Sequence, residues 1–101
     1  MSPMSSSAPR VDELEFDEHN EGELARHGID PLRAYAVVAF QPLFVRNKRG
    51  RAATYKVIGP DHGGTMLTIA IAATAVRWRW RPVTGWASTN GEITLWRKAY
   101  A

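Results

Sequence analysis

The sequence predicts an α+β domain: a small antiparallel sheet of three to four strands, two helices before it and one after. Three observations carry this prediction. Helix-like spacing and capping signals fill residues 20–42, a period near two takes over from Leu43, and a second set of helix signals begins at Thr89. With 101 residues, of which 45% are hydrophobic and 23% charged, the chain is one small domain able to bury a core.

Residues 1–10 hold four serines and two prolines without periodicity and read as a disordered leader, so the domain spans 11–101. Leu14 to Asp17 alternates apolar and acidic, predicting a short strand with Leu14 and Phe16 inward. Asn20 and Glu23 have capping-box spacing for a first helix that Gly28 ends in a left-handed cap. Asp30-Pro31 starts a second helix, because aspartate caps well and proline suits the first turn. Leu32, Tyr35, Ala36 and Ala39 form its predicted core stripe, and Pro42 closes it.

Leu43 to Arg46 and Arg51 to Gly59 read as two strands of a hairpin turning at Asn47-Lys48-Arg49-Gly50. After a turn at Pro60 to Gly64, the apolar run Thr65 to Ala75 reads as a central strand covered on both faces. Val76 to Pro82 alternates, which puts Arg77, Arg79 and Arg81 on one side and Trp78 and Trp80 on the other. Thr89 and Glu92 then form a capping box for a terminal helix with Ile93 and Trp96 on one face.

Charge narrows the function. Seven acidic residues and no Lys or Arg lie between Asp12 and Glu23, whereas Leu24 to Ala101 holds twelve basic residues against three acidic, a net of +9. Ten of the thirteen bases are arginine, the side chain best shaped for bidentate phosphate contacts, so an anionic polymer is the expected partner. Solubility alone also accounts for such a composition. The chain has no cysteine, which excludes a disulfide framework, a thiolate nucleophile and a Cys-ligated metal; three scattered histidines do not make a metal site either. Its longest apolar run falls short of the ~20 residues a membrane span needs, and no apolar signal core opens it, so a cytoplasmic protein with no membrane partner is expected.

Four stretches in this order resemble the BrnT family, the toxin half of bacterial type II toxin–antitoxin pairs. They are Phe16-Asp17-Glu18-His19-Asn20 followed by Leu24 to Pro31, then Tyr55-Lys56-Val57-Ile58-Gly59, then Leu67 to Ile71, and finally Val83 to Ser88 with Glu92 and Trp96. The likeness covers about residues 14–100. Two positions depart from the pattern: Trp86 stands where the family usually has arginine, and Glu23 where many relatives carry histidine. The resemblance implies a RelE-like fold and RNA cleavage without metal or other cofactor. It also implies neutralisation by a cognate antitoxin, with DNA bound only through the antitoxin complex.

Such a ribonuclease must deprotonate a ribose 2′-hydroxyl, stabilise a phosphorane and protonate the leaving 5′-oxygen. His27 and Glu92 are the candidates for proton transfer, and Arg79 and Arg81 for the phosphorane. His27 equally reads as a helix C-terminal residue favoured by the dipole, and Glu92 as a cap. Arg77 extends the arginine row, whose repeat of roughly 6.5–7 Å matches phosphates along an extended strand. Arg46, Lys48, Arg49 and Arg51 on the hairpin, with Lys56, complete the predicted RNA-binding set. Each of these rows also reads as an ordinary solvated face, and Trp86 as a core or interface aromatic. The alternative from another class is a non-catalytic RNA- or protein-binding module on the same fold.

Overall fold

The computed structural model describes residues 8–100. Most of the expected leader therefore lies outside the described residues, but its end does not. The carbonyl of Arg10 accepts the Trp80 indole N–H at 2.9 Å, and its guanidinium lies 3.7 Å from the Trp78 ring centroid. The chain is already tied to the domain at Arg10.

The elements run β1 (Glu13–Leu14), α1 (Glu18–Ala25), α2 (Pro31–Ala39), β2 (Leu43–Arg46), β3 (Tyr55–Pro60), β4 (Met66–Ala73), β5 (Arg79–Ala87) and α3 (Asn90–Tyr100). The α+β class is as expected. The sheet is not the expected antiparallel one of three to four strands: among the described residues it has five, ordered β1-β5-β4-β3-β2, and β1 pairs parallel with β5. Sequence periodicity carries no information about a partner more than sixty residues away.

Asp17, not Asn20, caps α1. Its carboxylate accepts the Asn20 amide at 3.0 Å while the Asn20 side chain accepts the Asp17 amide at 2.8 Å, so the reciprocal box sits one turn earlier than the Asn20–Glu23 spacing predicts. Glu23 is thereby released for another role. Gly28 ends the helical turn at φ 74°, and Asp30 caps α2 with Pro31 in the first turn, both as predicted.

In α2 the buried stripe is Ala34, Ala36 and Val37, and Leu32 and Phe40 lie in solvent at 66% and 69% exposure. The helix is apolar almost all round, so spacing alone selects no face and packing under the sheet decides. The β2–β3 connection is longer than a tight hairpin. β3 begins at Tyr55, and residues 47–54 form a basic loop.

Paired residues share a face of the sheet. A Cβ on Gly59 would touch the carbonyls of Val37 in α2 and of Gln41 just beyond it, and one on Gly85 would lie 3.0 Å from Leu24 of α1, so the Gly59, Leu67, Ile69 and Gly85 side is the helix-covered one. Val57, Ile69 and Ile71 are fully buried there. The opposite face carries Lys56, Ile58, Thr68, Ala70, Thr84 and Trp86, and α3 covers only part of it through Glu92, which accepts the Thr68 hydroxyl at 3.0 Å.

Along β5 the register slips by one. Ala70 pairs with Thr84 but Ile71 pairs with Pro82, which makes Val83 an extra, bulged residue. Trp80 and Pro82 before the bulge, and Gly85 after it, face the helices. Arg79 and Arg81 before it, and Thr84 and Trp86 after it, share the open face.

Candidate nucleic-acid interface

The predicted arginine row is broken at its first member. Arg77 precedes β5 in a turn closed by the Thr74 hydroxyl, which meets both the amide of Val76 and the carbonyl of Arg79. Trp78 follows at φ 65° and is 38% exposed rather than inward. Strict alternation fails here because a left-handed residue rotates the chain between Arg77 and Arg79.

Arg79 and Arg81 do project side by side, but into carboxylates. Arg79 Nε lies 2.8 Å from Glu13, and Arg81 Nη1 lies 2.7 Å from Asp17, with Glu15 3.8 and 3.7 Å from the two guanidiniums. The Arg81 hydrogen bond, aided by the Asn20 amide, pulls the Asp17 carboxyl down to about 2. This acidic segment is anchored from behind: the Tyr35 hydroxyl bridges the amide and carbonyl of Leu14, and buried Asn20 donates to the carbonyls of Glu15 and Pro82. The band carries two arginines against three carboxylates, a net of −1, and its arginines hold β1 in place.

The positive charge without a bound carboxylate lies elsewhere on the same face. Arg46, Lys48 and Arg51 from β2 and the loop, Lys56 from β3, and Val83, Thr84 and Trp86 from β5 line a concavity of about 550 Å³. Lys56, Ala70 and Thr84 stand in one row across three strands. Ala70 in the middle contributes only a methyl group, so the row is a trough roughly 10 Å across between the flanking backbones. No Asp or Glu lines it. Among the described residues no carboxylate lies within ion-pair distance of Lys48, Arg49, Arg51 or Lys56. Arg46 rests over the Tyr55 ring at 5.5 Å, and Arg49 borders a smaller adjoining recess.

Two carboxylates stand just behind the trough walls. Glu23 Oε2 accepts the Thr84 hydroxyl at 2.8 Å and lies 3.4 Å from His27 Nε2, so one oxygen joins a wall residue to the imidazole. The Thr84 bond is the main reason the Glu23 carboxyl lies below its ordinary value, with Arg26 and His27 adding to it against desolvation. The Glu23 position, read from the sequence only as a cap and a departure, is the candidate residue that the spacing missed. Thr84 carried no signal in the sequence, because its partner lies sixty-one residues earlier.

Glu92 is the other. Its Oε1 accepts the Thr89 amide at 2.8 Å, the Trp86 indole at 3.1 Å and the Thr68 hydroxyl at 3.0 Å. Desolvation would raise this carboxyl, but those donors, with the charge of Lys56 added, outweigh it and leave it below the usual value. A carboxylate so engaged is a poor base, and its geometry is that of the cap it completes with Thr89.

Of the predicted residues, then, Arg46, Lys48, Arg51 and Lys56 converge, Arg49 adjoins them, His27 and Glu92 stand behind the β5 wall by way of Glu23–Thr84 and Trp86, Arg79 and Arg81 are carboxylate-bound on the same face, and Arg77 is apart. No helix among the described residues is long and apolar enough to cross a membrane. Compared with protein-family models, with curated proteins and with solved structures, the chain finds no match.

Proposed function

We propose that the chain binds RNA in the trough between the 47–54 loop and β5, and acts there as the metal-independent, RNA-cleaving toxin of a toxin–antitoxin pair. The observation that carries this reading is a concavity lined by four cations and no carboxylate. Its cations suit a phosphate backbone, and an acidic antitoxin segment entering the same trough would exclude RNA.

The chemistry is a transesterification. The 2′-oxygen loses its proton and bonds to phosphorus, the bond to the 5′-oxygen breaks, and that oxygen takes up a proton. Lys56 and Arg51 stand ready to meet the extra charge on the phosphorane, whereas Arg79 and Arg81 are neutralised by Glu13, Glu15 and Asp17. His27, tied to Thr84 through Glu23, is the group for proton transfer.

One observation favours the second reading, a non-catalytic module: the arginine pair that the resemblance would use on the phosphorane is held by the chain's own acids. Expressing the chain alone separates the two. Growth arrest with RNA cleavage, both abolished by Arg51→Gln with Lys56→Gln, supports the toxin. Binding without cleavage leaves the module, and failure to bind any RNA at low salt removes the toxin and leaves only a protein-binding module.

A further inference from the structure

The trough is not uniformly cationic. Its β5 wall ends in Trp86, a partly exposed ring on the open face of the sheet. The indole is fixed rather than loose: its N–H is held by Glu92, and Glu92 is held in turn by the Thr89 amide and the Thr68 hydroxyl. A flat ring anchored at one edge, beside a row of lysine and arginine, offers a stacking surface next to a phosphate track.

Resting on the RNA-binding reading, we infer that the trough selects unpaired RNA, with one base stacked on Trp86 and the flanking phosphates on Lys56, Arg51 and Lys48. A base inside a duplex has both faces covered by its neighbours and cannot lie against an indole, whereas an unstacked base can. Ala70 keeps the middle of the trough low enough for a flat group to enter between Lys56 and Thr84. Trp86 thus supplies an uncharged stacking face, where an arginine would add a further positive charge. The same anchoring explains why Glu92 is spent on the indole instead of on a proton.

The test uses the intact chain and three ligands of equal length: a 2′-O-methyl oligouridine, which resists cleavage, the same oligomer with abasic residues, and its duplex with a complementary strand. Stacking of one base predicts that the unmodified strand binds about five- to 150-fold tighter than the abasic one, with the duplex weaker than the single strand. Trp86→Leu should abolish that difference and Trp86→Phe should keep most of it. If Trp86→Leu fails to fold, the abasic comparison with the unaltered chain decides alone. Equal binding of the abasic strand, or duplex binding as tight as single-strand binding, overturns the inference while leaving RNA binding intact. Absence of binding to all three overturns both.

Discussion

Arg81 Nη1 lies 2.7 Å from Asp17 Oδ2, while the other oxygen of the same carboxylate accepts the Asn20 amide at 3.0 Å. One side chain therefore caps α1 and fastens it to β5. The Asp17 carboxyl is held at about 2, below its ordinary 3.8. A depressed carboxyl contributes stability that is complete above its unfolded value and is lost as pH falls through the folded one. Unfolding followed by circular dichroism should show this contribution declining from about pH 4 to pH 2. Asp17→Asn should be less stable at neutral pH and lose less on acidification. An acid loss as large as in the unaltered chain would refute the linkage.

Asn20→Ala removes the two donors that satisfy the carbonyls of Glu15 and Pro82 in a buried setting. Each orphaned group costs about 1–3 kcal/mol, so a loss of roughly 2–6 kcal/mol is expected in urea unfolding. A change under ~1 kcal/mol would mean that water replaces the amide.

Gly85 faces the helices where there is no room for a side chain: an added Cβ would lie 3.0 Å from Ile69, from Leu24 and from the Thr68 carbonyl. Two of those neighbours are side-chain tips and one is backbone, so the site yields only in part. Gly85→Ala should destabilise by about 1–3 kcal/mol, and trimming Ile69 to valine in the same chain should recover part of it. The measurement is again chemical denaturation, with a stabilised Gly85→Ala variant as the contrary result.

The two basic regions should behave differently toward RNA. Replacing Lys48 and Arg51 by glutamine should lower the slope of log affinity against log salt by about one for each phosphate that is no longer neutralised. Replacing Arg79 and Arg81 by glutamine should leave that slope nearly unchanged and weaken the fold instead, because Glu13, Glu15 and Asp17 already neutralise them. Filter binding across a salt series distinguishes the pairs, and a larger slope change in the second pair would reverse the assignment.

Local signals are readable where a single residue type dictates the backbone. Gly28 and Asp30-Pro31 mark the break between the helices, and Thr89 with Glu92 marks the start of α3. The hairpin cations are likewise visible, since loop residues keep their charge whatever the loop's shape. What stays hidden depends on distant partners. Nothing near Glu13 announces that it will meet Arg79, and the turn at Trp78 is stabilised by Thr74 and Arg79 rather than by a glycine. Trp86 reaches the trough, and Glu23 the Thr84 side chain of its wall, only because Val83 shifts the register and Asp17 takes over the cap.

That shift makes the ligand surface dependent on a residue count. Upstream of Val83 the odd-numbered positions of β5 look outward, and downstream the even-numbered ones do. Pairing Val83 regularly, with no bulge, would turn Trp86 toward Leu24 and present Gly85 to the solvent, exchanging a recognition surface for a bare ribbon, whereas excising the valine along with its bulge would leave both where they are. Sequences related to this one by a single-residue gap at that point should therefore be aligned by which side chains look out, not by identity alone.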